Sequence, residues 1–302
     1  MGKWSCLAVC GVLGMVVCFG RQAGAEPTVL RGGVLTVGVD DSGGLIATDA
    51  GGDLVGLTAF GVDFVSPLYS FEGYSIGVDG RGYYGGYEHN VDITATTTAS
   101  GSGTVLRAVT TGTDEIELED GTPWPKIAFE QVMSFSADSP IIDFEVTLRN
   151  ISSAALGNVV YARYLDPDQN YPPSTTTYNE VISEDLVIAK AGLSSGPTIG
   201  IYTDSAYAHN ASVVTWQTNP YDLLAAGDFL PNYPWDSTIA IAWDIGSLGV
   251  GQEAVITFQY RVGLSPEDVI NPPVHAVPAG GAFCLGAVGF GLFGLLRRRG
   301  AI

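Results

Sequence analysis

The stretch that decides the fold is IAFEQVMSF-SADSP-IIDFEVTL, residues 127–148, near the middle of the chain. Ile127–Phe135 and Ile141–Leu148 contain β-branched and aromatic residues, which favour strands. Ser136–Pro140 separates them with Ser, Asp and Pro, and its length and composition are typical of a hairpin connection. The stretch therefore predicts two antiparallel strands joined by a short loop.

Short strand-like runs alternate with turn residues through the rest of the body. Val34–Val39, Val159–Leu165 and Ala254–Val262 are such runs, and Gly, Asp, Ser and Pro fill the segments between them. No segment of the body keeps a helical period for more than three turns, so the crossover helices of a parallel α/β fold are missing. The sequence predicts an all-β fold, an antiparallel β-sandwich or super-sandwich, as one domain over residues 26–273. The alternative is two sandwiches divided near Gly121–Pro125.

The N-terminus has the three parts of a secretory signal peptide. Lys3 supplies the positive charge, Cys6–Phe19 is apolar, and Ala23 and Ala25 form a small-x-small cleavage pattern. We expect a signal helix within residues 1–25, cleavage by signal peptidase after Ala25, and export of the body. The alternative is a membrane anchor, for which the apolar run is shorter than the roughly 20 residues of a comfortable span.

The C-terminus, residues 274–302, combines a short motif, an apolar segment and a basic cluster. Val277 and Pro278 come first, and residues 280–296 form an apolar run near the lower length limit of a transmembrane helix. The basic cluster is Arg297, Arg298 and Arg299. Because arginines favour the cytoplasmic side, they would remain inside and the body outside. The alternative is a disordered tail with a chance apolar run.

This tail resembles the PEP-CTERM sorting signal of exosortase-bearing Gram-negative bacteria. That signal has a Val-Pro-Glu-Pro-like motif, a membrane helix and a terminal arginine cluster. Val277-Pro278 and the arginines match it, whereas Ala279 and Gly280 stand where the family usually has Glu and Pro. The resemblance implies an exosortase-type processing enzyme as a partner and transient inner-membrane anchoring through helix 280–296. It also implies delivery to the cell envelope, outer surface or extracellular matrix, and it implies nothing about the activity of the body.

The body is similar to generic bacterial extracellular β-sandwich domains in three short segments. Phe144–Ser152 ends a strand in Asn-x-Ser, and Leu156–Val159 provides the Leu-x-Asn-Val step before another strand. Leu248–Gln252 is a similar turn before a final strand. Because such domains host many functions, this resemblance implies a fold class alone.

Cysteine and charge are distributed unevenly. All four cysteines lie in the two ends, so the body has no disulfide, thiol nucleophile or Cys metal site. All 32 acidic residues lie in the body, together with only eight of the 13 basic residues. This negative charge argues against nucleic acid and anionic lipid as partners of the body. It fits a solvated extracellular surface and also bound divalent cations.

A candidate metal loop reads Asp-Pro-Asp-Gln-Asn from residue 166. Asp166, Asp168 and Asn170 stand at alternate positions, as the first three ligands of a calcium loop do, so Ca²⁺ is the candidate cofactor. Tyr171 replaces the glycine of an EF-hand and Thr177 its final Glu, so an acidic turn closed by proline is the alternative. The weaker calcium candidates are Asp40, Asp41, Asp49 and Asp53.

A second candidate site lies in the Gly-rich aromatic segment Phe71–Tyr87 and just after it. Aromatic faces can stack on sugar rings and neighbouring polar groups can bond hydroxyls, so surface polysaccharide is a candidate partner. The candidate glycan-binding residues are Tyr74, Tyr83, Tyr84, Tyr87 and His89. The alternative is that these aromatics are cross-strand packing pairs of a hairpin.

Enzyme signals are weak, and no catalytic residue is assigned. The chain has no His-Glu-x-x-His motif. His89 or His209 with Glu130 would form a minimal sugar-epimerase-like site. The sequence favours a non-catalytic exported protein of the cell surface or extracellular matrix with a structural or adhesive role. The alternative is a carbohydrate-binding protein or carbohydrate-active enzyme on a mutarotase- or lyase-like super-sandwich.

Overall fold

The computed structural model describes residues 28–66, 71–86, 93–101, 105–114, 126–169, 177–227 and 234–272. Their elements, in chain order, are β1 Thr28–Arg31, β2 Leu35–Val39, β3 Ala47–Thr48, β4 Leu54–Val55, β5 Leu57–Ala59, β6 Val62–Val65, β7 Phe71–Val78, β8 Arg81–Gly86, β9 Ile93–Gly101, β10 Val105–Asp114, β11 Ile127–Ser136, β12 Ile141–Asn150, β13 Leu156–Asp166, β14 Thr177–Ser183, β15 Leu186–Lys190, β16 Thr198–Thr203, β17 Ala208–Val214, α1 Pro220–Ala225, β18 Pro234–Trp235, β19 Thr238–Leu248, β20 Glu253–Gly263 and α2 Pro266–Ile270.

Two large sheets and two small ones organise these strands. The nine-stranded sheet has the order β18-β14-β15-β16-β20-β12-β11-β10-β9, and the five-stranded sheet has the order β17-β19-β13-β7-β8. A four-stranded sheet, β1-β2-β5-β6, and the pair β3-β4 are formed by the N-terminal strands. Every strand pair in the described residues is antiparallel. The prediction of an all-β antiparallel fold is therefore confirmed for this part of the chain.

The predicted central hairpin is present as β11 and β12. Phe129 pairs with Leu148 and Met133 with Phe144, in a continuous antiparallel register. Buried residues alternate with less buried ones along both strands, so one face of the hairpin belongs to the core. The local pattern and the tertiary environment therefore select the same face.

The core lies where the nine-stranded and five-stranded sheets face each other. Phe258 of the larger sheet lies 5.4 Å from Trp243 and 6.3 Å from Tyr161 of the smaller one, measured between ring centroids. A single cluster of buried apolar residues extends along the sequence from Leu30 to Val262. Facing sheets with interdigitating aromatic side chains are the arrangement of a β-sandwich.

The outer face of the five-stranded sheet is partly covered by α1. Leu223 of this helix is completely buried against a small cluster that includes Ala162, Tyr164 and Ala240. Asn219 caps the helix by accepting a hydrogen bond from the Tyr221 backbone N–H. The helix therefore covers a second, smaller apolar cluster on this face of the sheet.

The predicted signal helix, cleavage residues Ala23 and Ala25, transmembrane helix 280–296 and arginine cluster lie outside the described residues. Within the described ranges, neither helix has the length and apolar character needed to cross a bilayer.

Candidate metal centre

Strand β13 carries a different chemistry on each of its two faces. Tyr161 and Leu165 belong to the core between the large sheets, whereas Ala162 and Tyr164 belong to the cluster under α1. Side chains alternate along a strand, so Asp166 continues the second row, on the outer face at the end of β13. Asp166 is nevertheless completely buried.

Three carboxylates meet at this end of the sheet. Asp168 comes from the loop after β13, and Asp236 comes from the segment between β18 and β19. One oxygen from each of Asp166, Asp168 and Asp236 lies within 4.8 Å of the others. Asp166 and Asp168 are buried and Asp236 is half-buried. The fold therefore concentrates three acids in a space largely closed to water.

These carboxylates lack compensating partners among the described residues. Both Oδ atoms of Asp166, and Oδ1 of Asp168 and Asp236, are buried without a hydrogen bond. The ion pairs formed by described residues involve none of the three. Burial and the neighbouring carboxylates raise the pKa of Asp166 to about 10 and that of Asp168 to about 7. An uncompensated buried charge is costly, so the centre needs protons or a cation.

Neutral oxygens near the three acids are also unpartnered. The Gln169 amide N–H donates to the Ala189 carbonyl at 2.8 Å, which leaves its Oε1 without a partner. The Asn179 amide donates to the Ser237 carbonyl at 2.8 Å, which leaves its Oδ1 without a partner. Both amides are more than nine-tenths buried. Oxygen ligands of this kind suit hard divalent cations.

The structure adds a third acid, Asp236, to two residues of the predicted metal loop. It brings Asp166 and Asp168 together, as predicted, whereas Asn170 lies outside the described residues. Sequence reasoning missed Asp236, because nothing in the local sequence links it to residues 166–168. The antiparallel pairing of β13 with β19 brings the two segments to the same end of the sheet.

Two of the four weaker calcium candidates near the N-terminus, Asp40 and Asp49, accept hydrogen bonds within their own turns. Asp40 accepts hydrogen bonds from the backbone N–H groups of Ser42 at 2.8 Å and Gly44 at 2.9 Å. Asp49 accepts from the Gly51 N–H at 2.8 Å and pairs with Arg31 at 3.3 Å. These acids are satisfied as turn-forming residues, unlike the acids of the candidate centre.

The glycan-binding prediction was wrong for two of its five residues. Tyr74 and Tyr83 are buried in the core, so their ring faces are closed to a ligand. Tyr74 packs on Phe129 and donates from its hydroxyl to the Ser42 carbonyl at 2.8 Å. Tyr84 is half-buried on edge strand β8, and the other two candidates, Tyr87 and His89, lie outside the described residues.

Trp216 is an exposed aromatic residue near the candidate centre that sequence reasoning did not single out as a site. It is 56% exposed, and its ring centroid lies 6.2 Å from that of Phe71. Phe71 pairs with Asp166 across β7 and β13, so their side chains share the outer face. Trp216 also has a positive φ of 51°, an uncommon conformation for a bulky residue. An exposed ring therefore lies against Phe71, the strand partner of Asp166.

The residues considered for catalysis are separated or enclosed. Glu130 is exposed on β11, whereas His209, on β17 of the other large sheet, lies 2.7 Å from the Tyr207 carbonyl and 2.9 Å from Asp185. Residues 73–77, GYSIG, match the Gly-x-Ser-x-Gly pattern of serine hydrolases, yet they lie inside β7. Ser75 is completely buried there, whereas that motif requires an exposed serine at a strand-to-helix turn.

A second buried acid, Glu72, lies between the large sheets. It forms an ion pair with Arg163, and both side chains are completely buried. Glu72 also accepts from the Leu45 N–H at 2.6 Å and the Tyr260 hydroxyl at 2.9 Å. Burial raises the pKa of Glu72, against the opposing effect of Arg163. This network ties together the N-terminal segment and both large sheets.

No family model matches the chain, and no curated protein matches it. Solved structures that the chain matches include an α-mannosidase from Enterococcus faecalis V583, at 12% identity and a TM-score of 0.45, covering 81% of this chain and 30% of that one. They also include a putative aldose 1-epimerase from Escherichia coli K12, at 12% identity and a TM-score of 0.40, covering 79% and 99%. A galactose mutarotase related enzyme from Lactobacillus acidophilus matches at 9% identity and a TM-score of 0.33, covering 81% and 99%.

The chain thus spans less than a third of the length of the mannosidase. At these identities and TM-scores the likenesses say nothing about the activity of this chain, and its site is interpreted from its own residues.

Proposed function

We propose that the chain is an exported, non-catalytic protein of the cell surface or extracellular matrix with a structural or adhesive role. Its N-terminal leader directs export, and its C-terminal tail is sorted by an exosortase-type enzyme after transient anchoring in the inner membrane. The body carries the role at the surface. The single observation behind this proposal is the tail itself, in which Val277-Pro278, an apolar segment and three arginines follow one another.

The bounds of the described body are compatible with this proposal. Its first strand begins at Thr28, shortly after the expected cleavage point at Ala25, and its last helix ends at Ile270, shortly before Val277. The body is free of cysteine, so its folding needs no disulfide in the exported compartment.

The burial and hydrogen-bond partners of three ionisable residues support a non-catalytic role for the body. Glu72 and Arg163 are completely buried and paired with each other, so a substrate cannot reach them. His209 has hydrogen-bond acceptors at both ring nitrogens. An acid or base that acts on a substrate has to come within hydrogen-bond reach of it.

Sorting is tested by expressing the full chain in a Gram-negative host with an exosortase and in the same host without it. We expect the mature body in the surface or matrix fraction of the first host. Replacing Arg297, Arg298 and Arg299 by alanine should remove most of it from that fraction. The matched control replaces three exposed body arginines, Arg31, Arg107 and Arg149, by alanine and should be sorted normally.

Mass spectrometry of the purified protein decides the outcome. A mature N-terminus at Glu26 agrees with the proposal. Intact polypeptide in the cytosol with residues 1–25 attached would overturn it. Turnover of aldoses or aryl glycosides that is lost in His209→Ala would overturn the non-catalytic role.

Glycan binding beside Trp216 is a second candidate function. The observation that favours it is the exposed Trp216 ring, packed on Phe71 next to the acidic centre. A ring held with one face open can stack on the apolar face of a sugar. A glycan array with the full chain and with Trp216→Ala tests this function. Loss of binding in the variant supports it, and unchanged binding places any glycan elsewhere.

A further inference from the structure

We propose that Asp166, Asp168 and Asp236 bind one Ca²⁺ at the end of the five-stranded sheet. The amide oxygens of Gln169 and Asn179, adjacent to these acids, supply additional ligands. The cation joins the end of β13, the start of β14 and the start of β19. This inference concerns the body and is independent of how the chain is sorted.

The first step is the charge of the three-carboxylate group. Its oxygens lie within 4.8 Å of one another, and two of the three side chains are buried. Lys190 of the neighbouring strand β15 forms an ion pair with Glu180 at 2.7 Å. Like charges held together in a poorly solvated space repel strongly, so a divalent cation has a large electrostatic advantage there.

The second step is the set of neutral oxygens that lack partners. Gln169 follows Asp168 directly, and Asn179 is hydrogen-bonded to Ser237, the residue after Asp236. Both amides are anchored through nitrogen, with the oxygen left without a hydrogen bond. Buried amide oxygens are rarely left unsatisfied, so their recurrence beside three uncompensated acids points independently to a ligand.

Two threonine hydroxyl groups on segments that carry the candidate ligands also lack hydrogen-bond partners among the described residues. Thr177 pairs through its backbone with Trp235, the residue before Asp236, and its buried Oγ1 has no partner. Thr238, two residues after Asp236, is buried with an unpartnered Oγ1 as well. Hydroxyl groups next to the centre add neutral oxygen atoms of the kind that complete a calcium shell.

The third step is the identity of the cation. The candidate ligands are all oxygen, and no described His lies in the group. Zinc sites in proteins use nitrogen and sulfur ligands far more often, which argues against Zn²⁺. Ca²⁺ takes six to eight oxygens from carboxylates and amides in irregular geometry, whereas Mg²⁺ keeps several waters in strict octahedral geometry. Three acids plus several neutral oxygens from separate segments therefore match Ca²⁺.

The structural consequence is a link between the two large sheets. Asp166 ends β13 and Asp236 precedes β19, both in the five-stranded sheet, whereas Asn179 lies on β14 near one edge of the nine-stranded sheet. A cation shared by these segments stabilises the folded state because it does not bind the unfolded chain in the same way.

The experiment uses the full chain in mild detergent, stripped with EDTA and then titrated with CaCl₂. Calorimetry should give one site, and saturating Ca²⁺ should raise Tm by about 5 to 10 °C. MgCl₂ at the same concentration should raise it by less. A Tm unchanged by Ca²⁺ and no heat of binding would overturn the proposal.

Two variants and a matched control locate the site. Asp168→Asn and Asp236→Asn should each weaken Ca²⁺ binding at least tenfold. Each should also raise the Tm of the calcium-free protein, because one member of a repelling group has lost its charge. Asp138→Asn removes an exposed carboxylate from the β11–β12 loop and should leave both measurements unchanged.

In these variants Ca²⁺ affinity should fall while the Tm of the calcium-free protein rises. This combination distinguishes the proposal from a purely structural role of the same acids. Variants that bind Ca²⁺ like the parent chain would show that the cation lies elsewhere, and would overturn the assignment. Variants less stable than the parent chain without calcium would show that the acids stabilise the fold on their own, and would also overturn it.

Discussion

Glu72 and Asp166 are both completely buried acids on neighbouring strands of one sheet, yet of the two only Glu72 forms an ion pair with a described residue. Glu72 faces the interior of the sandwich, where Arg163, Tyr260 and the Leu45 N–H supply a cation and two donors. Asp166 faces the opposite side of the sheet, where oxygens of two other acids, Asp168 and Asp236, lie within 4.8 Å. Side chains alternate between the two faces of a strand. Two acids on adjacent strands therefore have opposite electrostatic surroundings.

The difference teaches how to distinguish a structural acid from an acid that needs an external partner. The Glu72 network is complete, so it links both sheets without a ligand. Among the described residues, both oxygens of Asp166 and Oδ1 of Asp168 and Asp236 have no hydrogen-bond donor. Such a group of oxygens is the composition of a cation site. Burial alone does not separate the two cases, whereas the inventory of hydrogen-bond donors does.

Arg163→Met should have the largest effect on stability, because it leaves Glu72, like Asp166, without an ion-pair partner among the described residues. The variant leaves a buried carboxylate without its cation, and we expect the free energy of unfolding to fall by about 3 to 5 kcal/mol. Urea denaturation at neutral pH measures the change. The control is Glu72→Leu combined with Arg163→Met, which removes both charges and should cost less than the single change. A single variant as stable as the parent chain would contradict the assigned role of the pair.

The second prediction concerns pH and isolates the acidic centre. The pKa of Asp168 is raised from 3.8 to about 7 by burial and by Asp236, so this group stabilises the calcium-free fold when it is protonated. That contribution is full below about pH 4 and is lost as pH rises through about 7. We therefore expect Asp168 alone to contribute a loss of about 2 to 3 kcal/mol of stability to the calcium-free protein between pH 5 and pH 8. Asp166, whose pKa is raised to about 10, adds to this loss.

Chemical denaturation in EDTA at the two pH values measures this loss. Asp168→Asn is the control and should make the dependence shallower by the contribution of Asp168, while the part due to Asp166 remains. Saturating Ca²⁺ should reverse the trend, since the metal binds the ionised carboxylates. Stability that rises between pH 5 and pH 8 without calcium would contradict the prediction.

The smallest effect is expected at Asp79, an acid with partners but substantial exposure. Asp79 pairs with Lys126 at 3.0 Å and accepts from the Gly157 N–H at 2.9 Å, and these contacts lower its pKa. Its side chain is 44% exposed, so Asp79→Asn should cost no more than about 1 kcal/mol. Asn also tolerates the positive φ of 52° at this position.

A double-mutant cycle with Lys126→Met measures the Asp79 pair. The coupling should be small and should shrink further in high salt, because solvent screens exposed charges. A coupling free energy as large as the stability loss caused by Arg163→Met would contradict the prediction that the exposed Asp79–Lys126 pair contributes less than the buried Glu72–Arg163 pair.

The fold was predictable where its signal is local. The strand-forming residues of 127–148 and the turn residues between them predicted the hairpin, and β11 and β12 form it. The spacing of Asp166 and Asp168 likewise predicted two of the three clustered acids. Each of these inferences depends on residues close together in the chain.

The sequence by itself determined the strands, the all-β class and the acidic character of the body, because alternation and composition are properties of short segments. Tertiary structure alone decided that Tyr74 is core and that Asp236 joins Asp166. Tertiary structure also placed Glu72 of β7 beside Arg163 of β13, and Asp166 beside two other acids. The physical reason is that strand pairing brings distant segments together and selects which face each side chain shares. A residue's electrostatic environment therefore arises only when the sheets form.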